Sequence, residues 1–149
     1  YPDLMQATFE GGHTIGNHTY SHINGWNVPF QAYLDDIFRA EKAISGYRSN
    51  SISLFRPPYG RMKLRHWLAL RPTHQCCMWD VTGQDFLEEL DSKQVVENVL
   101  QNTTEGSIVL LHDSDLAAPR VLDAIPEIIA KLRQRGFALK AIDSLERPG

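Results

Sequence analysis

The sequence is poor in the features that mark several classes of protein. Its 149 residues carry a net charge of -3, and no basic run is interleaved with aromatic residues. We therefore expect no nucleic-acid partner and no anionic membrane surface. No apolar stretch approaches the roughly 20 residues that a membrane-spanning helix needs, so no membrane segment is expected. Without repeats, low-complexity tracts or linkers, residues 1–149 are predicted to form one domain.

Cysteine is also scarce, since only Cys76 and Cys77 occur. Neighbouring cysteines rarely bridge, because the vicinal ring strains the peptide between them away from normal disulfide geometry. We interpret both as small apolar residues buried on a strand, so the chain is not a disulfide scaffold. The cysteines therefore indicate nothing about the cellular compartment.

Helix-like and strand-like patterns alternate along the chain. Helices are predicted for YPDLMQATFEGG, for VPFQAYLDDIFRAEKAISGY with its end at Gly46, for RMKLRHWLAL, for SKQVVENVLQNT from Ser92, and for APRVLDAIPEIIAKLRQRG, which Pro126 should kink or restart and Gly136 should cap. Strands are predicted for HTIG, SISLF, HQCCMWDV, GSIVLL and FALKAI. Strands separated by helices indicate a parallel sheet in an α/β domain, either open or closed into a barrel.

Polar side chains follow four of the predicted strands, at the points where the strands end. These residues are His18 and His22, Arg56, Asp80 and Asp85, and His112 and Asp113. In parallel α/β folds this edge of the sheet is where ligands bind, because the loops there converge on one mouth. We therefore expect a functional site at this edge.

Two histidines four residues apart stand in the polar segment GNHTYSH, residues 16–22. Surface histidines reach this spacing by chance, but His18 and His22 could also share one metal ion such as zinc. A catalytic site would add a third ligand and leave a position for water, whose pKa the metal lowers. The other histidines, His13, His66 and His74, are interpreted as structural or surface residues.

Two further segments have both a structural and a functional interpretation. FRPPYG, residues 55–60, is either a rigid exposed turn or a fixed loop that aims Arg56 inward and offers the backbone N–H of Tyr59 to an oxyanion. His112 in LLHD is either a satisfied core imidazole or a general acid oriented by a carboxylate from another strand end. Asp85 is the candidate for that carboxylate.

HTYSH, RPPYG, WDV…DF and IVLLHD, in this order, resemble the metal-dependent polysaccharide deacetylases, carbohydrate esterase family 4. The likeness runs to about Ile142. It implies a distorted, incomplete β/α barrel with a metal at its mouth, and an enzyme that removes acetyl groups from N-acetylated polysaccharides such as chitin or peptidoglycan. The implied metal is zinc, with cobalt or nickel as alternatives. The implied location is the cell envelope or outside the cell; the sequence indicates no oligomeric state.

The resemblance also assigns roles by position. It implies that His18 and His22 are metal ligands and that Arg56 pairs with the catalytic base. It implies that the Tyr59 N–H stabilises the oxyanion and that Trp79 shapes the acetyl pocket. Asp85 would orient and tune His112, and His112 would protonate the leaving amine.

The sequence departs from the family pattern in two places. Phe86 stands where many members have tryptophan. More seriously, the TFDDG-like strand end is absent, and its adjacent aspartates would supply the base and the third metal ligand. Asp35 and Asp36 form the only adjacent pair, but they lie inside a predicted helix. With no leader or initiator methionine before this helix, we expect an N-terminally truncated domain with an unpaired sheet edge, in which Arg56 has lost its partner.

A truncated domain of this kind should be inactive or nearly so. Two alternatives therefore stay open beside the enzyme. The chain is a non-catalytic carbohydrate- or metal-binding remnant of the same fold, or the two-histidine site is incidental and the domain is an interaction module.

Overall fold

Helices and short parallel strands alternate along residues 1–47 and 53–142, the part of the chain that the computed structural model describes. In chain order the elements are α1 (Pro2–Glu10), α2 (Phe30–Ile44), β1 (Ser53–Phe55), α3 (Leu64–Leu70), β2 (His74–Cys76), β3 (Val81–Thr82), α4 (Ser92–Asn102), β4 (Val109–Leu110) and α5 (Ala118–Gln134). Single 3₁₀ turns lie at Ser45–Tyr47 and Pro58–Gly60. The prediction of an α/β protein with parallel strands is confirmed.

The chain divides into two compact units, Tyr1–Met78 together with Ala141 and Ile142, and Trp79–Lys140. In the first unit β1 pairs with β2 in parallel, and Phe55 lies opposite Cys76. Asn17 joins the other side of β1 through one isolated bridge to Phe55. This order brings the segment that contains the two histidines directly beside the end of β1.

Helix α2 covers this sheet because its apolar residues recur at helical spacing. Its buried side chains are Tyr33, Leu34, Ile37 and Ala40. Tyr33, Leu34 and Ile37 form one core with Phe55 and Leu70. Full burial of a side chain such as Phe55 or Ile37 contributes about 1.5–3 kcal/mol, so this core anchors the strand end that carries the site.

The second unit pairs β3 with β4 in parallel; α4 packs against β3, and α5 packs against α4. Its core consists of Val81, Val95, Val96, Val99, Leu100, Ala124, Ile128 and Leu132. Helix α4 begins in a capping box, because the Asp91 carboxylate accepts the Gln94 N–H at 2.8 Å and the Gln94 side chain accepts the Asp91 N–H at 2.9 Å. The N-cap is therefore Asp91, and the helix begins at Ser92 as predicted.

Helix α5 runs through Pro126 without interruption from Ala118 to Gln134. It is capped as predicted by Gly136, whose φ of 89° is the left-handed conformation of a Schellman cap. The N–H groups of Gly136 and Phe137 donate to the carbonyls of Arg133 and Leu132 at 2.9 and 3.1 Å. The proline thus neither ends nor restarts the helix.

Several predicted strand boundaries were wrong. HTIG forms no strand and is followed only by the bridge at Asn17. The predicted strand HQCCMWDV is split between β2 and β3, and residues 137–142 contain no strand. The first two residues of the predicted strand 51–55 lie outside the described residues. Gly46 does not cap α2, because the chain continues from Ser45 into a 3₁₀ turn.

Within the described ranges, no helix combines the length and apolarity needed to cross a bilayer.

Candidate active site

The two histidines of GNHTYSH lie side by side in the first unit. Their ring centroids are 4.9 Å apart and the rings are inclined by 69°. Nδ1 of His18 lies 2.6 Å from the backbone carbonyl oxygen of Arg56. Because a carbonyl oxygen only accepts, Nδ1 carries the hydrogen in this contact, and the lone pair of the neutral ring is on Nε2. Proteins orient imidazole ligands for metals through this kind of hydrogen bond.

The backbone of this segment is unusual, since Thr19 and His22 have φ values of 64° and 54°. The left-handed region is uncommon for residues other than glycine, and for a β-branched residue it is strained. Asn17 helps to hold it, because its Oδ1 accepts the Thr19 N–H at 2.9 Å. The Asn17 Nδ2 group donates to the Ile37 carbonyl at 2.9 Å and to Glu41 Oε2 at 3.0 Å. Asn17 is 2% exposed, so this amide is a buried link from the histidine segment to α2.

Arg56 connects the histidine segment to the end of β2. Its backbone N–H donates to the Asn17 carbonyl at 2.9 Å, and its carbonyl is the acceptor for His18. Its guanidinium Nε donates to the Cys77 carbonyl at 2.8 Å, and Nη2 lies 3.4 Å from Cys77 Sγ. The guanidinium is therefore bonded to the end of the neighbouring strand, and the expectation that its catalytic-base partner is missing stays a prediction.

The cysteines have the unbridged state that the sequence predicted. Both are free thiols, and Cys77 is buried while Cys76 is partly buried. Burial raises the pKa of the Cys76 thiol, and the neighbouring Cys77 raises it further, so the neutral thiol is favoured.

Tyr59 lies in the turn between the two prolines and Gly60, with a left-handed φ of 58°. Tyr59 is 60% exposed, and its ring makes an edge contact with the His22 ring at a centroid distance of 4.8 Å. The N–H groups of Gly60 and Arg61 donate to the carbonyls of Pro57 and Pro58 at 3.0 and 3.1 Å. Since proline has no N–H, the turn keeps the Tyr59 N–H as the group that it can present to a ligand.

Asp85 and His112 form a hydrogen-bonded pair in the second unit. The Asp85 carboxylate is fully buried; its Oδ2 accepts the His112 backbone N–H at 2.6 Å and its Oδ1 lies 2.9 Å from His112 Nδ1. The His112 side chain is 37% exposed, and Phe86 contacts its ring edge at 5.4 Å between centroids. The Arg120 Nε donates to the Asp85 carbonyl at 2.8 Å. This arrangement fixes the ring through Nδ1, and its catalytic role stays a prediction.

The remaining polar residues of the second unit differ in environment. Asp80 accepts the Ile108 N–H at 2.6 Å and the Ser107 hydroxyl at 2.7 Å, and these bonds lower the pKa of its carboxyl. Asp80 therefore ties β3 to the residues before β4, while Asp113 is exposed. Trp79 is half-buried, and its assignment to an acetyl pocket stays a prediction.

The other histidines agree with their interpretation as structural or surface residues. His66 is completely buried, stacked on Phe30 at 5.5 Å between centroids. His74 is 3% exposed, and its Nε2 lies 3.7 Å from the Glu41 carboxylate. His13 is exposed.

Residues 1–47 and 53–142 contain no group of three or more His, Cys, Asp or Glu side chains placed to hold a metal ion. The metal-ligand role of His18 and His22 stays a prediction, and the described residues supply no third ligand beside them. Asp35 and Asp36 lie within α2, as the sequence predicted, and not at a strand end.

Sequence reasoning missed the polar residues that support the histidine segment, chiefly Asn17 and Glu41. Glu41 also accepts a hydrogen bond from the Ser53 hydroxyl, which links α2 to the start of β1. The available signals were an asparagine immediately before His18 and a glutamate within the otherwise apolar stripe of α2.

Comparison with known proteins places these features in a family. The profile described as "Polysaccharide deacetylase" matches residues 1–74. The chitooligosaccharide deacetylase of Azorhizobium caulinodans is 30% identical over 164 residues, covering 95% of this chain and 73% of that protein. A peptidoglycan-N-acetylglucosamine deacetylase of Bacillus cereus is 28% identical over 148 residues, covering 97% of this chain and 53% of that protein.

The fold comparison agrees. The crystal structure of a peptidoglycan N-acetylglucosamine deacetylase in complex with 4-naphthalen-1-yl-N-oxidanyl-benzamide superposes with a TM-score of 0.87 at 27% identity, over 95% of this chain and 67% of that one. The chain therefore belongs to the polysaccharide deacetylase family, carbohydrate esterase family 4. It spans 53% and 30% of the lengths of the first two curated relatives that it matches.

Proposed function

We propose that the protein is a metal-dependent hydrolase that removes acetyl groups from N-acetylated polysaccharides of the chitin or peptidoglycan type. Its fold would be an incomplete, distorted β/α barrel that lacks the first strands of the family. The observation that carries the proposal is the neighbouring pair His18 and His22, with His18 oriented through Nδ1 by the Arg56 carbonyl, in a member of this family.

The metal centre of the proposal uses the two imidazoles. His18 and His22 would hold a divalent cation, zinc in the first instance and cobalt or nickel as alternatives. When bound, such a cation supplies Lewis-acid polarisation of the acetyl carbonyl and a lower pKa for water. The side-chain hydrogen bonds of Asn17 and the main-chain contact of His18 keep the two rings adjacent.

Deacetylation adds the oxygen of water to the acetyl carbonyl carbon while a base takes a proton from that water. The bond from the carbonyl carbon to nitrogen then breaks, and its electron pair moves to the nitrogen. In the proposal His112 protonates this nitrogen from Nε2, because Nδ1 is committed to the buried Asp85 carboxylate. Asp85 stabilises the imidazolium that holds the proton. The products are acetate and a free amine on the sugar.

Three further residues have proposed roles in the same reaction. The Tyr59 N–H would stabilise the oxyanion, and Trp79 would shape the acetyl pocket. Arg56 would pair with the catalytic base, a role that the family resemblance implies. The natural substrate would be an acetylated oligosaccharide or polysaccharide of the cell envelope or the exterior, by analogy with the peptidoglycan deacetylases among its relatives.

Acetate release tests the proposal. The full-length protein, with any segment encoded before Tyr1, is incubated with added zinc or cobalt and with acetylated chito-oligosaccharides or peptidoglycan, beside His112→Ala and the exposed-residue control His13→Ala. We expect release by the wild type and the control, and a loss of about 10²–10⁴-fold in His112→Ala. No release from any acetylated sugar, or full activity in His112→Ala, would contradict it.

The adjacent-aspartate motif that supplies the base and the third ligand in the family is absent from the sequence. We therefore propose that these 149 residues alone release acetate slowly or not at all, which makes a non-catalytic carbohydrate- or metal-binding role the second candidate. Zinc or oligosaccharide binding without acetate release, in a protein that includes any upstream strand encoded before Tyr1, would establish this alternative.

A further inference from the structure

Asp36 belongs to the aspartate pair that does not occupy the family's catalytic position, yet its carboxylate contacts the histidine segment. Its Oδ2 accepts the backbone N–H groups of both Tyr20 and Ser21 at 2.9 Å. Its Oδ1 accepts the Ser21 hydroxyl, also at 2.9 Å. One helical carboxylate therefore binds three donors from Tyr20 and Ser21, two of the three residues that stand between His18 and His22.

Asp35, the neighbouring residue, has no such contact. It is exposed, and its Oδ1 accepts a hydrogen bond from Gln31 Nε2 at 2.8 Å on the same helix. The two aspartates carry the same charge at adjacent positions, so they form a matched pair in which Asp36 alone is bonded to the segment.

The state of the Asp36 carboxyl suits this contact. Burial acts to raise its pKa, but the hydrogen bonds from Ser21 and Tyr20 outweigh burial and lower the pKa. The group is therefore an ionised acceptor, and hydrogen bonds to an ionised carboxylate are stronger than those to a neutral oxygen.

The histidine segment needs such support because Thr19 and His22 both have left-handed backbone conformations, at φ values of 64° and 54°. Asn17 holds the Thr19 N–H at the start of the segment, while Asp36 holds the part that leads into His22. Loss of the Asp36 contacts would free the peptide on which the relative placement of the two rings depends.

We infer that Asp36 is a positioning residue that holds His18 and His22 in the geometry for binding one divalent cation. The inference rests on the proposed function, because it requires the two histidines to be metal ligands. It gives Asp36 a role that is separate from those of the catalytic base and the third ligand.

Zinc titration of four proteins tests this role: the wild type, Asp36→Ala, Asp36→Asn and Asp35→Ala. Removing an outer partner of metal ligands typically weakens affinity by about 10–100-fold, and we expect this loss in Asp36→Ala. The asparagine side chain can still accept the two N–H groups and donate to Ser21, so Asp36→Asn should recover most of the affinity. Asp35→Ala should bind zinc as the wild type does.

Wild-type zinc affinity in Asp36→Ala, or an equal loss in Asp35→Ala, would overturn the inference. The visible spectrum of bound cobalt adds a readout that a change in stability alone would not move. Its ligand-field bands should shift in Asp36→Ala and return in Asp36→Asn, and unchanged bands in Asp36→Ala would count against positioning.

Amide hydrogen exchange without metal separates this inference from the metal site itself. If the wild type binds neither zinc nor cobalt, the metal role of the histidines fails. Faster exchange at Tyr20 and Ser21 in Asp36→Ala, but not in Asp35→Ala, would still show that Asp36 holds the segment. Unchanged exchange at both amides would overturn the positioning role, whatever the metal affinity.

Discussion

Asp85→Ala should destabilise the protein by about 2–4 kcal/mol, because it leaves two hydrogen-bond donors of His112 without their acceptor. The substitution removes the acceptor of the His112 backbone N–H at 2.6 Å and of Nδ1 at 2.9 Å. A buried donor without an acceptor costs about 1–3 kcal/mol, which applies to the backbone N–H. The His112 side chain is 37% exposed, and its Nδ1 can hydrogen-bond to water instead, so losing this second hydrogen bond costs about 1 kcal/mol.

Asp85→Asn distinguishes the hydrogen bonds from the charge. Its amide oxygen can still accept the backbone N–H, so the expected loss falls to about 1 kcal/mol, the size of one ordinary hydrogen bond. Asp113→Ala removes an exposed carboxylate beside the same histidine and should change stability by no more than about 0.5 kcal/mol.

Urea unfolding of the three variants, followed by circular dichroism and tryptophan fluorescence, measures these differences. The expected order of stability is Asp113→Ala, then Asp85→Asn, then Asp85→Ala. A loss below about 0.5 kcal/mol in Asp85→Ala would show that the His112 N–H finds another acceptor, and the pair would then not be a rigid support for the imidazole.

Two further predictions concern the first unit. Burial lowers the pKa of His66 below its ordinary value of 6.5, so the folded protein binds fewer protons than the unfolded chain and loses stability as the pH falls through 6.5 towards the folded pKa. His66→Phe should abolish this part of the acid sensitivity in urea unfolding between about pH 7.5 and 5; an equal pH dependence in both proteins would refute it. In Gly25→Ala, the new Cβ would lie 2.9 Å from both the Arg61 carbonyl oxygen and Tyr33 Cζ, which should cost about 1–3 kcal/mol. Gly46→Ala meets no atom within 4 Å among the described residues and is the control, so equal losses would contradict the packing argument.

The helices were predictable because their periodicity is local. The stripe of α2 and the apolar face of α4 are visible in the sequence, and the structure buries Tyr33 and Ile37 in the one and Val95 and Val99 in the other. The strands were not predictable to the same degree, because they contain only two or three residues each. A strand this short is defined by its partner, as Val81–Thr82 is by Val109–Leu110, and partners cannot be read from a single segment.

The candidate site was also predictable only in part: its reactive residues were visible in the sequence, but their contact partners were not. Residue types at strand ends pointed to His18, Arg56 and His112, because these chemistries stand out in a polar loop. The contact partners were harder, and the role of Asp36 was missed because its signal is three hydrogen bonds to main chain and hydroxyl groups fifteen and sixteen residues earlier. Asp85 was a candidate because it follows a predicted strand, where Asp80 also stands, and the hydrogen bond from Asp85 to His112 Nδ1 is what the structure adds.

The parallel register of the first unit explains why its site residues are bonded to one another. Asn17 bridges to Phe55, and Phe55 lies opposite Cys76, so three chain segments end side by side. Each following residue then bonds across to the next segment: His18 Nδ1 to the Arg56 carbonyl, and the Arg56 guanidinium to the Cys77 carbonyl. A shift of one residue at the Asn17–Phe55 bridge would break the His18 bond, and a shift in the β1–β2 pairing would break the Arg56 bond, because each shift sends alternate side chains to the opposite face. The geometry of the histidine pair is therefore a property of strand register as well as of the GNHTYSH segment.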